Sequence, residues 1–371
     1  MKKLLKNDAL QSFLISLVCI VIGLFIGYLV LLAIEPDGAL SSILAVVKNF
    51  FGYSRANIRM KHLGTTLAKA APLLMCSLSI LFSYKVGLFN IGAAGQYVMG
   101  SCACLYAALA WGWGWLPCLL FAAVAGAVFG MVTGALKANL NVNEVISGIM
   151  LNWIGLYFTN MLLANVKDVA SAYTYTLKAR GKGAILPTLG IDKLFSGNQY
   201  VGIAIPLSVF FAVLVWVVLN RTKFGYELKA TGFNKHAAKY CGMAEKRNII
   251  ISLAISGALA GLGGAFLYQT DIEQWQVTAS SVPGMGFNGI AAAFLGGLNP
   301  FGAILASFFI QHITEGGSHV DLTIYCSQIS ELISSIIIYL CGFVSFFKYV
   351  MNRSLAKAEN KKAIEEKGGA N

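Results

Sequence analysis

Long apolar runs separated by short polar stretches set the pattern of this chain. Several runs reach the ~20 residues that an α-helix needs to cross ~30 Å of hydrocarbon. Ten membrane spans are predicted, at 14–33, 64–83, 86–110, 116–136, 145–163, 201–219, 248–268, 284–297, 301–313 and 322–347. The segment 40–62 has mixed polarity and predicts an interfacial amphipathic helix. The fold is therefore expected to be all-α, with about ten transmembrane helices.

The third predicted span contains a stretch that an ordinary membrane helix lacks. Residues 86–101 read VGLFNIGAAGQYVMGS, which places the amides of Asn90 and Gln96 among recurring glycines. Small residues let neighbouring membrane helices approach closely, and an amide at membrane depth needs a partner or a water-lined cavity. Three interpretations follow: a tight packing face, a broken helix, or the wall of a pathway.

A related pattern opens the eighth span. Phe89 and Asn90 precede a run of small residues, and so do Phe287 and Asn288. The two spans are five apart, and an odd offset gives the copies opposite orientations in the membrane. Paired short or glycine-interrupted segments mark the translocation site of transporters built from inverted repeats. We therefore predict an inverted repeat with broken or short helices at the third and eighth spans. The alternative is a chance match between two glycine-rich packing helices.

Composition supports a membrane protein. The 371 residues are 57% hydrophobic and 12% charged, which lies outside the range of soluble domains. We assign the formal net charge of +12 to basic cytoplasmic loops, which follow the positive-inside rule, and expect no nucleic acid partner. Ten spans put both termini on one side, and most Lys and Arg lie on that side. Both termini are therefore predicted to be cytoplasmic.

Ionisable side chains are scarce inside the predicted spans. Glu144 lies at a membrane boundary and Glu331 within the tenth span. Ion-coupled carriers rely on buried carboxylates, so a secondary transporter is disfavoured. The eight cysteines lie mostly in apolar runs and are interpreted as small hydrophobes. No metal site is expected from the cysteines and the four histidines, because they lack the spacing of a ligand set. A membrane-embedded enzyme is disfavoured because no convergent catalytic set is found.

The segment 221–247 is the most charged internal part of the chain. Gly225 and Gly232 interrupt it, and Asn234 is placed to cap a short helix over 235–240. Two interpretations are open: a surface for a partner protein on the cytoplasmic face, or a solvated basic loop attracted to anionic lipid.

Five motifs, in this order, resemble a family of permeases of bacterial ABC importers, the group that contains ribose, branched-chain amino acid and nucleoside permeases. The motifs are GLFNIGAAGQYVMGS (87–101), NEVISGIMLNWI (143–154), FGYELKATGFNKHAAKYCGM (224–243), ISGALAGLGGA (255–265) and GFNGIAAAFLGGLNPFGAI (286–304). LFNIGAAGQ and NEVISGIMLNW are most similar to the longer of two permeases in guanosine-type uptake systems. The GGIDLS-like stretch of ribose-type permeases is missing. Family members often read IGAEGQ, where this chain has Ala94.

The resemblance implies a permease subunit of an ABC importer that moves a neutral nucleoside inward. A simple sugar (ribose or galactose) or a branched-chain amino acid is the alternative substrate. Implied partners are ABC ATPase subunits that hold ATP and magnesium, a second, shorter permease paralogue, and a substrate-binding lipoprotein, at the bacterial cytoplasmic (inner) membrane. The sequence has no GxxxxGK[ST], so this chain is expected to be no enzyme and to bind no cofactor.

The domain assignment follows the same resemblance. Residues 1–63 are assigned to an N-terminal tail, the first membrane helix and an outer connection, and 64–347 to the permease core. Residues 348–371 are assigned to a cytoplasmic tail.

Amide side chains are the predicted substrate-pathway residues, because each amide both donates and accepts hydrogen bonds and so suits a neutral substrate. Asn90, Gln96 and Asn288 are expected to line the pathway. Phe89 and Phe287 are expected to offer ring faces to a base.

Further site residues come from the other motifs. Asn143 and Asn152 are additional pathway candidates, whereas Glu144 is interpreted as structural or as part of the cytoplasmic mouth. By the resemblance, 224–243 holds the helix that couples to the ATPase, and we name the whole of 221–247 the coupling segment. The residues implied in this coupling are Gly225, Gly232, Ala237 and Ala238.

Overall fold

All regular secondary structure in the described part of the chain is helical. The computed structural model describes residues 8–317 and, beyond them, 332–333, 335–336, 339–340, 343, 346–347, 349–350 and 352–353. The α-helices in 8–317 are α1 (Asp8–Ile34), α2 (Ala39–Lys48), α3 (Ala56–Lys85), α4 (Ala93–Leu109), α5 (Trp115–Leu140), α6 (Glu144–Leu163), α7 (Ile191–Leu194), α8 (Ala204–Arg221), α9 (Lys223–Phe233), α10 (Lys235–Tyr240), α11 (Glu245–Tyr268), α12 (Gly284–Leu295) and α13 (Pro300–Gly317). Short 3₁₀ turns occur at Asn49–Gly52, Ala164–Val166 and Lys182–Ala184.

Five of these helices are long and apolar enough to cross a membrane: α3, α5, α6 with its following turn, α8 and α11. The all-α, polytopic membrane fold is thereby confirmed. Each of the first nine predicted spans overlaps a helix, although the first part of the third span, 86–92, is a loop. However, α4 has 17 residues and α12 has 12, which is fewer than the ~20 needed to span the hydrocarbon. The tenth predicted span and Glu331 fall largely outside the described residues, and the span count and the inverted repeat stay predictions.

The prediction of a single amphipathic helix over 40–62 is wrong. Helix α2 ends at Lys48, because Asn49 adopts a positive φ of 39°. The Asn49 side chain donates a hydrogen bond from Nδ2 to the carbonyl oxygen of His312 (2.9 Å), far along the chain. A 3₁₀ turn follows, and the second half of the segment belongs to α3, which begins at Ala56. A tertiary contact therefore decides where this helix stops.

Helix α11 forms the centre of the bundle, between α3, α4 and α5. A Cβ on Gly257 would press on the backbone of Gly126 in α5, and a Cβ on Gly261 would lie 2.5 Å from the carbonyl oxygen of Ala122. Gly100 of α4 lies against Gly261 in the same way. These glycines let helix backbones touch, as small residues do in membrane bundles. The tight-packing interpretation of the third span thus holds for Gly100.

The long connection between α6 and α8 packs onto the ends of the bundle. The backbone N–H of Thr174 donates to the carbonyl oxygen of Trp275 (2.9 Å), and the Trp275 indole N–H donates to Asn160 Oδ1 (2.9 Å). The Asp271 carboxylate accepts from the backbone N–H of Leu177 at 2.8 Å. These bonds fasten the connection to the loop between α11 and α12, and that loop to the end of α6.

An ion pair joins α3 to α13. Lys69 Nζ of α3 lies 2.8 Å from Glu315 Oε1 of α13, with the side chains 22% and 19% exposed. Glu273 lies 3.7 Å from the same ammonium group. Helix α13 continues past the predicted ninth span, 301–313, so its last turn contains a carboxylate that the polarity pattern assigned to a loop. Helix α13 therefore contains one more carboxylate than its predicted span indicated.

Candidate functional site

Asn90 and Gln96 form a reciprocal amide pair at the start of α4. Asn90 Nδ2 donates to Gln96 Oε1 at 2.8 Å, and Gln96 Nε2 donates to Asn90 Oδ1 at 3.2 Å. Both side chains are buried. Residues 86–92 are not helical, so the third predicted span consists of a loop followed by a short helix. At this break in the helix, each buried amide meets part of the hydrogen-bonding capacity of the other.

Two serines extend the pair to the neighbouring helices. Asn90 Nδ2 also lies 2.7 Å from Ser256 Oγ of α11, and the Ser256 hydroxyl donates to the carbonyl oxygen of Ser79 in α3 (2.7 Å). The hydroxyl oxygens of Ser79 and Ser256 are 2.9 Å apart. Both serines are fully buried, and sequence reasoning did not select them. Each shares its apolar run with at least one other serine, and serines are common in membrane helices.

Asn152 of α6 clamps the first turn of α4. Its Oδ1 accepts from the backbone N–H of Gly95 (2.7 Å), and its Nδ2 donates to the carbonyl oxygen of Ile91 (3.1 Å). The Gly95 N–H is one of the groups that a helix start leaves without an intrahelical partner. We name Asn90, Gln96, Asn152, Ser79 and Ser256 the amide cluster.

The first turn of α12 meets the first turn of α4. A Cβ on Gly286 would lie 2.8 Å from Ala94 Cβ and 2.9 Å from its backbone nitrogen. A side chain longer than that of alanine at position 94 would press on the backbone at Gly286. Ala94, which stands where the resembled motif often has an acidic residue, therefore allows α12 to approach α4 closely.

Helices α4 and α12 run in opposite directions. The loop before α4 touches Gly232 of the coupling segment, whereas Ala108, near the other end of α4, lies beside Gly181 of the long connection. Leu298, just beyond the C-terminal end of α12, lines the same crevice as Lys229 of the coupling segment. The two short helices thus meet at their N-terminal ends and diverge toward opposite sides of the bundle.

The second Phe-Asn pair has a different environment from the first. Phe287 is 38% exposed and Asn288 is partly exposed on α12. Phe89 is partly buried in the loop before α4. The partners described for Asn90 are Gln96 and the two serines. The structure therefore joins the first asparagine to the amide cluster and leaves the second on a more open surface.

Asn143 acts as the N-terminal cap of α6. Its Oδ1 accepts from the backbone N–H of Val145 at 2.8 Å, as capping asparagines do. Next to it, Glu144 Oε2 lies 2.8 Å from Lys137 Nζ of α5. Both residues thus have local contacts at the turn between α5 and α6, which agrees with the structural interpretation of Glu144.

The coupling segment folds into α9 and α10. Asn234 Oδ1 accepts from the N–H groups of His236 and Ala237, both at 3.0 Å, which confirms the predicted cap and helix. A Cβ on Gly225 would lie 2.8 Å from Leu219 Cα, so α9 folds back directly on α8. Ala237 is exposed, whereas Ala238 is covered by this chain itself. Ala237 therefore belongs to the open face of α10.

The chain matches the family model described as the permease component of the branched-chain amino acid transport system, over residues 63–342. It is 31% identical to the guanosine ABC transporter permease protein NupP of Bacillus subtilis over 357 residues, which is 95% of this chain and 99% of the relative.

A second relative, the nucleoside ABC transporter permease protein NupB of Lactococcus lactis, is 30% identical over 97% of each chain. The glucose ABC transporter permease protein TsgB13 of Haloferax volcanii is 29% identical over 76% of each chain. No solved structure matches.

Proposed function

The chain belongs to the family of permease components of the branched-chain amino acid transport system, and we propose that it carries a neutral nucleoside inward as the longer permease of an ABC importer. The observation that carries this proposal is the match, over nearly the whole of each chain, to two relatives whose names specify guanosine or nucleoside transport. The glucose relative covers less of the chain. A simple sugar or a branched-chain amino acid is the second candidate, because the family model itself is described by branched-chain amino acids.

We propose ABC ATPase subunits, a shorter permease paralogue and a substrate-binding lipoprotein as partners. ATP and magnesium would be bound by the ATPase, and this chain would hold no nucleotide. Both termini and the coupling segment would face the cytoplasm, and the long connection would face outward. The opposite placement of the coupling segment and the long connection supports their assignment to different sides of the membrane.

The amide cluster supports a pathway role for the start of α4. Its members are neutral hydrogen-bonding groups, which fit a neutral nucleoside better than an ion. Asn90 and Gln96 would bind substrate when the hydrogen bonds between them break, because their amide groups can then form hydrogen bonds with the substrate. Phe287 and Asn288 already lie on a more open surface and would contact substrate first. Alternating access would then open and close the contact between α4 and α12.

Uptake into proteoliposomes tests the substrate. The assembled transporter, with its binding lipoprotein outside, ATP inside and labelled guanosine as substrate, should take up label that unlabelled nucleosides suppress. Suppression by ribose or leucine alone would reject the nucleoside proposal in favour of the second candidate. Uptake that continues without ATP and stops when the ion gradient is removed would reject the importer mechanism altogether.

The pathway residues are tested separately. Asn288→Ala should lower the rate of uptake with little effect on thermal stability, because Asn288 is partly exposed. The matched control is Asn57→Ala, because Asn57 is an exposed asparagine of α3 with no proposed pathway role, and this variant is expected to leave uptake unchanged. Unaltered uptake and unaltered substrate-stimulated ATPase activity in Asn288→Ala would remove this residue from the pathway.

A further inference from the structure

A crevice of about 520 Å³ lies beside the coupling segment. It opens where the C-terminal ends of α3 and α8 meet α9 and the turn before α13. Lys85 and Lys229 line it, and none of the residues described in its lining is acidic. The crevice therefore concentrates positive charge between the membrane bundle and the coupling segment.

Lys229 has a fixed position in the crevice wall. Its Nζ donates to Asn220 Oδ1 at 2.8 Å. The carboxylate on the same helix, Glu227, lies near Lys223 (3.9 Å), which is not part of the crevice lining. The partner of the Lys229 ammonium group is thus a neutral amide and not a carboxylate.

The start of α13 adds to the same electrostatic potential. Pro300, its first residue, and Asn299, which accepts from the N–H of Phe301 at 3.0 Å, both line this region. The N-terminal end of α13 has a partial positive charge, which offsets part of the partial negative charge at the C-terminal ends of α3 and α8, so the two lysines supply the net positive charge. The crevice is therefore suited to an anion held by lysine ammonium groups, which bind phosphate as point charges.

An aromatic and apolar surface adjoins the two lysines. Tyr84 and Trp216 line the crevice, and Trp216 also packs 5.9 Å from Phe301, centroid to centroid. Tyr and Trp concentrate at the boundary between hydrocarbon and water. Beyond them, exposed apolar side chains continue along α8 and α13, namely Val213, Val217, Phe301 and Leu305. A ligand that fits this site has an anionic head and a long apolar part.

We propose that this crevice binds an anionic phospholipid, with its phosphate at Lys85 and Lys229 and its acyl chains against α8 and α13. Basic pockets between membrane helices on the cytoplasmic side bind such headgroups. The apolar surface next to the lysines favours a lipid over a free phosphate. The bound headgroup bridges the end of α3 and α9, and so ties the coupling segment to the bundle whatever substrate the chain moves.

Lysine labelling of the full chain in nanodiscs tests the site without any mutation. Nanodiscs of phosphatidylcholine are compared with nanodiscs that also contain phosphatidylglycerol, and acetylation is mapped by mass spectrometry. Phosphatidylglycerol is expected to lower the labelling of Lys85 and Lys229 several-fold. Lys235 and Lys239, which are exposed on α10, serve as internal controls and should change much less. Equal labelling of Lys229 in the two lipids would overturn the proposal.

Two double variants provide the second measurement. Lys85→Gln with Lys229→Gln should retain several-fold less phosphatidylglycerol in native mass spectrometry than Lys235→Gln with Lys239→Gln. Equal losses in both would show general electrostatic attraction and would overturn the site. Inorganic phosphate at millimolar concentration in phosphatidylcholine nanodiscs should leave Lys229 labelling unchanged. Protection by phosphate without protection by phosphatidylglycerol would assign the crevice to a soluble anion and overturn the lipid proposal.

Discussion

Gly232, near the end of α9, lies directly against the backbone of Gly87, in the loop that leads into α4. A Cβ on Gly87 would be 2.7 Å from the Gly232 carbonyl oxygen and 2.8 Å from its Cα. Gly87 also has a φ of +77°, a conformation that favours glycine. Asn90 follows three residues later, so one backbone contact links the coupling segment to the amide cluster. A displacement of α9 is expected to move this loop with it.

Gly232→Ala should uncouple ATP hydrolysis from transport. The added methyl group would press on the carbonyl group of Val86 and the nitrogen of Gly87, and would push α9 away from the loop. We expect a large loss of uptake while ATPase activity persists, both measured in proteoliposomes. Gly183→Ala is the matched control, because a Cβ there has nothing within 4 Å. Normal coupling in Gly232→Ala would show that the contact is not part of the transmission.

Asn90→Ala should destabilise the protein by about 1–3 kcal/mol, because it leaves the Gln96 amide buried without its partner. Gln96→Ala should have a similar effect, and the double variant should cost clearly less than the sum of the two. Residues in one hydrogen-bond network show such non-additivity. Unfolding in detergent, followed by circular dichroism, gives the three values. Additive losses would contradict a reciprocal pair.

Gly257→Ala should destabilise the contact between α5 and α11. Its methyl group meets the Gly126 backbone, and overpacking of this kind costs about 1–3 kcal/mol or more. Gly155→Ala, within α6, is the control, because the nearest atom to its Cβ is a Phe129 ring carbon at 3.4 Å. Yield of folded protein and thermal stability are the measurements. Equal behaviour of the two variants would contradict the proposed close packing.

Lys69→Met should lower stability by leaving the Glu315 carboxylate partly buried beside an apolar chain. The cost should be below the ~3–5 kcal/mol found for fully buried pairs, because both side chains keep some exposure. Adding Glu315→Met should restore most of the loss. Lys223→Met, which breaks a 3.9 Å contact between a 90% exposed lysine side chain and Glu227, should cost at most ~1 kcal/mol. A double variant no better than Lys69→Met would show that the pair has little energetic role.

Local features of the fold were predictable from sequence. The cap at Asn234 and the helix after it follow from interactions within a few residues, and the structure confirms them. The apolar runs similarly predict the positions of α5, α6, α8 and α11 to within a few residues, whereas α3 begins well before its predicted span and α4 begins well after its own. The break at Asn49 was not predictable, because its partner, His312, lies in α13. Likewise, the ninth span was drawn too short since the polarity of Glu315 is compensated by Lys69, a residue of another helix.

The candidate site was predictable in composition but not in arrangement. The amides of Asn90 and Gln96 stood out as polar groups in an apolar run. Their mutual pairing depends on the loop before α4, whose course follows from contacts with α3, α6 and α11. Asn152 appeared as a pathway candidate, yet its hydrogen bonds hold backbone groups of α4. The sequence spacing within α6 does not tell which groups of another helix Asn152 faces.

The hydrogen-bonded long connection between α6 and α8 has a consequence for association. Thr174 and Leu177 are already fixed to the loop that contains Asp271 and Trp275. A partner that binds this face meets a surface whose backbone has lost its conformational freedom during folding. Ordering entropy is one of the main terms opposing association, so binding here is expected to carry a small ordering cost and to leave the connection's shape unchanged.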